Sequence, residues 1–215
     1  MPEDDGLQVL WRIEFHRRAV SSIRDQRSRA ESCLLRLLGR PPGTTVGRDE
    51  SGAPTVTDES GRGSLSHVPA VVSAAWSRSG YKVGIDIESD ASVKRLPETA
   101  WHAWMTPYER LLTARDPRHR TVLWAAKEAA AKALDQPFSP AILQVSMITE
   151  EGLIEAQNKR DGVRLRGRWG HHWHDAYVLL SDAPVNAIQI PSPLHGTPSS
   201  AIPTTWEGHR MVTSG

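Results

Sequence analysis

The chain has 215 residues, 39% of them hydrophobic, and its 26 Lys and Arg against 25 Asp and Glu leave a net charge of +1. That length suits one domain or two small ones, and the balanced charge excludes the global basic field of a nucleic-acid-binding chain. A single cysteine, Cys33, excludes an internal disulfide framework and any multi-cysteine metal site. There is no apolar run of about 18 residues to span a membrane, and "MPEDDGLQVL" lacks the charged-then-apolar pattern of a signal peptide. A cytoplasmic protein with neither membrane nor nucleic acid as partner is expected.

In chain order, "LQVLWRIEF" (Leu7 to Phe15) predicts a first strand, and Ser22 to Arg40 a helix with Ala30, Cys33, Leu34, Leu37 and Leu38 on one side. Gly39, Pro41, Pro42 and Gly43 end it. Residues 43–63 are rich in Gly, Ser, Thr and Asp and predict a loop with one short strand. "SLSHVPAVVSAAWS" (Ser64 to Ser77) predicts a strand pair turning at Pro69, and "YKVGIDIE" the next strand. Trp101 to Arg115 predicts a helix, interrupted by a fresh start at Thr106-Pro107-Tyr108-Glu109. Arg120 to Leu134, dense in alanine and free of Gly and Pro, is the strongest helix signal in the chain. "ILQVSMI", "GVRLRGRW", "AYVLLS" and "VNAIQI" then predict antiparallel strands. From Pro191 onward, Pro, Ser and Thr dominate and a weakly ordered tail is expected.

Three local patterns carry possible chemistry, each beside a plainer reading. In "KVGIDIESD", Val83, Ile85 and Ile87 alternate with Gly84, Asp86 and Glu88. A strand puts the two carboxylates on one face, roughly 6.7 Å apart. Either that face is solvated, or the acids form a half-shell for a hard cation such as Mg²⁺, which takes one or two carboxylates plus waters and phosphates. In "WAAKEAAAKAL", Glu128 and Lys132 share a helix face with Trp124 one turn earlier. They form a surface salt bridge, or a third acid (or proton acceptor) beside a fixed positive charge for phosphate. In "SLSH", His67 is a structural hydrogen-bonder or lies at a sheet edge where an anion sits. "HHWH" (His171, His172, His174) lacks a cysteine or second cluster nearby and reads as incidental.

The order and spacing of these patterns, "SLSH", then "VGIDIE", then "WAAKEAAAK", resemble the 4'-phosphopantetheinyl transferase family. Length and the upstream "SLSH" resemble its long, two-lobed, surfactin-synthetase-activating type and not the short trimeric type. Arg27, Ser28 and Arg36 fall where that family carries an arginine, a hydroxyl residue and a second arginine. The resemblance implies an α+β fold of two similar lobes with pseudo-twofold symmetry, each a small antiparallel sheet packed with a long helix. The lobes would be residues 1–83 and 84–190, with 191–215 the tail. It implies a monomer that moves the 4'-phosphopantetheine arm of coenzyme A onto a serine of an acyl or peptidyl carrier protein of a polyketide or nonribosomal peptide synthase. Adenosine 3',5'-bisphosphate leaves. Asp86, Glu88 and Glu128 would hold Mg²⁺; Glu128 and Lys132 would be catalytic; Arg24, Arg27, Ser28, Ser66, His67 and Lys132 would bind the cofactor. Lys127 would be a supporting charge only.

Three departures from the family pattern stand out. Ala125 replaces a hydroxyl residue after the tryptophan, Ala53 replaces the lysine of a G-K-P loop, and the short N-terminal segment offers only Arg17, Arg18 and Arg24 for a 3'-phosphate. These departures keep a second reading open, a non-catalytic relative acting as a binding partner of a synthase or other protein. A third, an unrelated Mg²⁺-dependent phosphohydrolase, finds no separate water-activating arrangement in the spacing.

Overall fold

The structure, a computed structural model, describes residues 9–16, 18–116, 118–184 and 188, and the backbone of two short strands at 205–207 and 210–212. Strand β1 (Val9–Phe15) precedes helix α1 (Ile23–Leu37), which starts where the Ser22 side chain accepts the Asp25 N–H. Next come β2 (Val46–Arg48), β3 (Pro54–Val56), β4 (Arg62–Val68), β5 (Val71–Ser77) and β6 (Val83–Ser89). Helices α2 (Asp90–Val93), α3 (Glu98–Trp104), α4 (Pro107–Arg115) and α5 (His119–Leu134) follow. Strands β7 (Leu143–Ile148), β8 (Leu153–Asn158), β9 (Arg164–His172), β10 (Asp175–Ser181), β11 (Thr205–Glu207) and β12 (Arg210–Val212) complete the described chain.

The strands form two five-stranded antiparallel sheets, in the orders β12-β11-β1-β5-β4 and β6-β10-β9-β8-β7, and a small β2–β3 hairpin. This is an α+β fold. Helix α1 packs on the first sheet through Ala30, Cys33 and Leu34 against Val72, Ala74 and Trp76. Helix α5 packs on the second sheet, with Ala126, Ala129, Ala130 and Ala133 among Val145, Ile154, Leu165, Val178 and Leu180. The sheets share a third core, in which Trp11, Ile13, Val71 and Ala75 meet Val83, Ile85, Ile87 and Leu179.

Several expectations need correction. Residues 43–63 contain two short strands, Val46 pairing with Val56 and Arg48 with Pro54. Three residues are too few for an alternation to register in sequence. Strand β8 was not expected. Its buried positions are Ile154, Ala156 and Asn158, so its inward face is only weakly apolar. "VNAIQI" lies outside the described residues except for Ile188, which makes an isolated parallel bridge with Val9. Most of residues 191–215 also lies outside them; the exceptions are β11, which pairs with β1, and β12, which pairs with β11. The fresh helix start at Thr106 is present: Thr106 and Glu109 form a reciprocal capping box with Pro107 in the first turn.

The expected alternation in β6 holds, but neither face is solvated. Val83, Ile85 and Ile87 enter the shared core, while Gly84 and Asp86 turn toward α5. A Cβ on Gly84 would collide with the Ala129 carbonyl oxygen and stand 2.8 Å from the Ala133 nitrogen. Glycine on the strand and alanine on the helix therefore allow a close approach. It brings one turn of α5 against the acids of β6.

Candidate active site

Strands β4 and β6 are edge strands of different sheets, and they run beside each other. Edge strands leave backbone donors and acceptors to be satisfied, and here side chains bridge the seam. The Ser64 hydroxyl accepts the Ile85 N–H at 3.0 Å, and the Ser66 hydroxyl accepts the Ile87 N–H at 3.2 Å. The Lys132 ammonium crosses from α5 and donates to Leu65 O on β4 and Ile85 O on β6, each at 3.2 Å. Its shortest bond, 2.6 Å, goes to Asp86 Oδ1.

Three carboxylates converge beside that lysine. Asp86, Glu88 and Glu128 each offer an oxygen within 4.8 Å of the others. Asp86 is 1% exposed. Its Oδ1 accepts from Lys132 and, at 2.8 Å, from Ser66, while Oδ2 is buried with no hydrogen-bond partner. Burial, then the Asp86 and Glu128 charges, push Glu88 up to about 8. Burial, then Asp86, raise Glu128 to about 7, against the opposing pull of Lys132 and a hydrogen bond from Trp124. Buried polar atoms are ordinarily satisfied, and gathered like charges resist ionisation. A hard divalent cation answers both conditions, because it takes carboxylate oxygens and supplies positive charge. The residues present fit Mg²⁺.

A cleft of about 610 Å³ opens in front of Glu128 and Lys132. Its walls are the β2–β3 hairpin (Arg48 to Pro54), β4 (Gly63 to Leu65), and the end of α5 with Gln136, Pro137 and Phe138. A second hollow of about 350 Å³ adjoins it, lined by Arg27, Ala30, Arg48, Gly52, Leu65 and His67. Arg48, Gly52 and Leu65 line both hollows of this groove.

His67 stands in the second hollow beside Arg27. Gln26 donates its amide N–H to Val20 O at 2.9 Å, which turns Gln26 Oε1 toward His67 Nδ1 at 3.0 Å. The ring therefore donates through Nδ1, and Nε2 can donate only when the ring is protonated. Burial first, then the Lys132 and Arg27 charges, lower its pKa. An anion beside Arg27 would offset part of that bias.

The other expected residues are less gathered. Arg24 and Ser28 are exposed on α1 and line neither hollow. The single proton of Ser66 goes to Asp86, so the hydroxyl positions the acid in this arrangement instead of donating to a phosphate. Arg36 is held by both carboxylate oxygens of the buried Glu14. Arg17 lies outside the described residues.

Lys127 proves to be more than a supporting charge. It is 3% exposed and its ammonium meets Glu109, at 0% exposure, together with the carbonyls of Trp104, Pro140 and Leu143. Glu109 also accepts the Val145 N–H at 2.8 Å. This cluster ties α5 to α4 and β7. The capping pattern at Thr106 to Glu109 was visible in sequence; the burial of the Glu109 charge had no local signal. Ser64 was likewise missed, and only its two-residue spacing from Ser66 hinted at it. Of the "HHWH" histidines, His172 stacks on Trp173 and meets Phe15 at a tilt, His171 contacts Trp169, and His174 is exposed near Asp90.

Two comparisons bear on this geometry. A family model of the 4'-phosphopantetheinyl transferase superfamily matches residues 82–189, about half of the chain and the part that carries all three acids and Lys132. No curated protein matches the chain. No helix among the described residues is long and apolar enough to cross a membrane.

Proposed function

The chain belongs to the 4'-phosphopantetheinyl transferase superfamily, and on that premise we propose that it moves the 4'-phosphopantetheine arm of coenzyme A onto a serine of an acyl or peptidyl carrier protein, releasing adenosine 3',5'-bisphosphate. The carrier would belong to a polyketide or nonribosomal peptide synthase. The observation that carries the reading is the convergence of Asp86, Glu88 and Glu128 within 4.8 Å beside Lys132, with Glu128 and Lys132 lining the groove.

In this reading Asp86, Glu88 and Glu128 hold Mg²⁺, which when bound supplies positive charge to the coenzyme A diphosphate. Glu128 takes the proton of the carrier serine, directly or through a water. The serine oxygen bonds to the β-phosphorus as the bond from that phosphorus to the diphosphate bridging oxygen breaks. The bridging oxygen leaves on adenosine 3',5'-bisphosphate. Lys132 contacts the phosphates, stabilises the leaving group and fixes Asp86. Arg27 and His67 take phosphate oxygens in the second hollow, Ser66 acts through Asp86, and Arg24 and Ser28, exposed on α1, could reach the cofactor only from outside the two hollows. The groove supplies alignment of the two reactants.

The same reading treats the two sheets, each with its helix, as two similar lobes related by pseudo-twofold symmetry. Residues 1–83 and 84–190 are taken as these lobes and 191–215 as the tail, with the differences that β6 already begins at Val83 and that the first sheet also takes in β11 and β12 from residues 205–212. The working unit is a cytoplasmic monomer of the surfactin-synthetase-activating type. An acidic carrier helix meets exposed arginines by charge steering. Arg110 is exposed, whereas Arg118 pairs with Asp116 and Arg120 with Glu98.

One observation favours the alternative of a non-catalytic relative that serves as a binding partner: Ala53 lines the groove where the resembling family carries a lysine. Intact-mass analysis after incubation with coenzyme A, Mg²⁺ and a panel of apo carrier proteins separates the two. The transferase adds the arm to at least one carrier. Folded protein that modifies none of them speaks for the binding partner.

A further inference from the structure

We propose that the outer face of strand β9 is a docking surface for an extended acidic segment of a partner protein, with Arg164, Arg166 and Arg168 as its cations. The surface lies apart from the groove, since no residue of β7, β8 or β9 lines either hollow. In "RLRGRW" (Arg164 to Trp169), arginine takes every second position. Leu165 and Gly167 between them are buried, Leu165 in the core with α5, so the three guanidiniums share the opposite face. They recur about 6.7 Å apart along the strand.

The core shared by the two sheets draws on β6 and β10 of the second sheet and on no strand beyond them. Arg164 and Arg166 are exposed. Their charge is poorly matched. Glu155 lies opposite Arg166 and accepts its Nε–H at 3.0 Å, while the Ser146 hydroxyl holds the other Glu155 oxygen at 3.0 Å. Opposite Arg164 and Arg168 stand the uncharged Gln157 and Leu153. The Arg164 side chain makes no hydrogen bond or ion pair among the described residues. Arg168 donates to the Glu151 carbonyl at 3.2 Å, and no carboxylate among the described residues pairs with it. The Glu151 carboxylate takes the Thr149 hydroxyl instead. Burial alone holds Arg168 below the ordinary arginine value.

Charge complementarity selects the occupant. With Arg166 matched by Glu155, the two remaining cations stand about 13 Å apart, four residues along the strand. An extended chain repeats its side chains at the same interval, so acids at alternate residues of such a segment fall opposite the row. The guanidinium fork takes a carboxylate bidentately. Partial burial of Arg168 weakens solvent screening there and strengthens an ion pair formed on it. A polynucleotide fits less well. No aromatic side chain stands among the three arginines for a base to stack on, because Trp169 turns to the α5 side. Glu155 is also held in the middle of the row, where a continuous phosphate backbone meets its charge.

Fluorescence anisotropy on the full chain tests this, with three labelled probes: a peptide of alternating Glu and Ser, its counterpart with Gln for Glu, and a thymidine oligonucleotide. The acidic peptide should bind, less tightly as salt rises, and the Gln peptide should not. Arg164→Ala combined with Arg168→Ala should weaken the acidic peptide roughly tenfold, as expected for the loss of two exposed ion pairs. Arg164→Gln combined with Arg168→Gln should do the same while keeping part of the stems that cover the sheet. Arg78→Ala, at an exposed arginine just beyond β5, should leave the affinity unchanged. Thermal melting confirms that each variant is folded. A wild type that binds no acidic peptide, or equal binding after both double substitutions, overturns the proposal. Equal binding of the Gln peptide does so too. Preferred binding of the oligonucleotide, lost in the double variants, overturns it in favour of a nucleic-acid surface.

Discussion

Lys132 and Asp86 meet at 2.6 Å, and the oxygen they share also takes the Ser66 hydroxyl at 2.8 Å, so one oxygen of this buried carboxylate has two donors and the other none. That asymmetry leaves Oδ2 available for the metal in the proposed reading. Lys132→Ala removes a partner from a carboxylate that is itself out of water, at a cost of about 1–3 kcal/mol. Urea unfolding should report a loss in that range. Asp86→Asn should abolish the Mg²⁺-induced shift in melting temperature. A full shift in Asp86→Asn would remove Asp86 from the metal site.

The acid triad links stability to pH and to metal. Glu88, up at about 8, and Glu128, at about 7, both lie above the usual 4.5, with burial the first cause and neighbouring carboxylates the second. The folded state thus binds protons more tightly than the unfolded chain. For metal-free protein the contribution is fully present below about pH 4.5 and is lost as pH rises toward about 8. A cation needs the ionised acids and reverses the trend. Melting in chelator should fall between roughly pH 5.5 and 8.5, and the shift from saturating Mg²⁺ should be larger at the higher pH. Equal Mg²⁺ shifts at both ends would contradict the assignment.

Glu128→Gln keeps the size of the side chain and removes its capacity to take a proton. If Glu128 accepts the carrier serine proton, transfer should fall by about 10²–10⁴-fold. Single-turnover mass analysis at saturating coenzyme A measures this. Activity within a few-fold of wild type would assign the base elsewhere.

Lys127 and Glu109 form a buried ion pair at 3.0 Å. Lys127→Ala leaves the Glu109 carboxylate buried and unpaired, and should cost about 3–5 kcal/mol. Since Lys127 lines neither hollow, the variant that remains folded should keep much of its coenzyme A affinity. A stability loss under about 1 kcal/mol in urea would show that the pair contributes little.

Gly84→Ala tests the link between packing and chemistry. The added methyl meets backbone atoms of Ala129 and Ala133, which cannot swing aside as a side chain would. Overpacking of this sort costs about 1–3 kcal/mol or more. It should also move Glu128, the neighbour of Ala129, away from Asp86 and weaken Mg²⁺ binding in step with the loss of stability. Full Mg²⁺ binding in a destabilised Gly84→Ala would separate the two effects.

Much of the fold was legible in the chain because it rests on short-range physics. The alternation of Val83, Ile85 and Ile87, the alanine density of α5, and the Thr106–Glu109 cap each state their structure within a few residues. Strand β8 was hidden because Asn158 and Ala156 fill inward positions that carry little hydrophobic signal. The paired strands β2 and β3 were too short to show a period.

The candidate site divides in the same way. Residue order alone identified Asp86, Glu88, Glu128 and Lys132 as possible partners and placed the two strand acids on one face. Only the folded chain decided that the face is closed by α5, because that depends on how near Gly84 lets Ala129 come. Tertiary packing likewise turned Ser66 toward Asp86, buried Lys127 on Glu109, and set Arg48 in the lining of both hollows. Periodicity is a property of neighbours along the chain and can be read from it. Desolvation, charge pairing and cavity shape arise between residues far apart in sequence, and they exist only once the chain has folded.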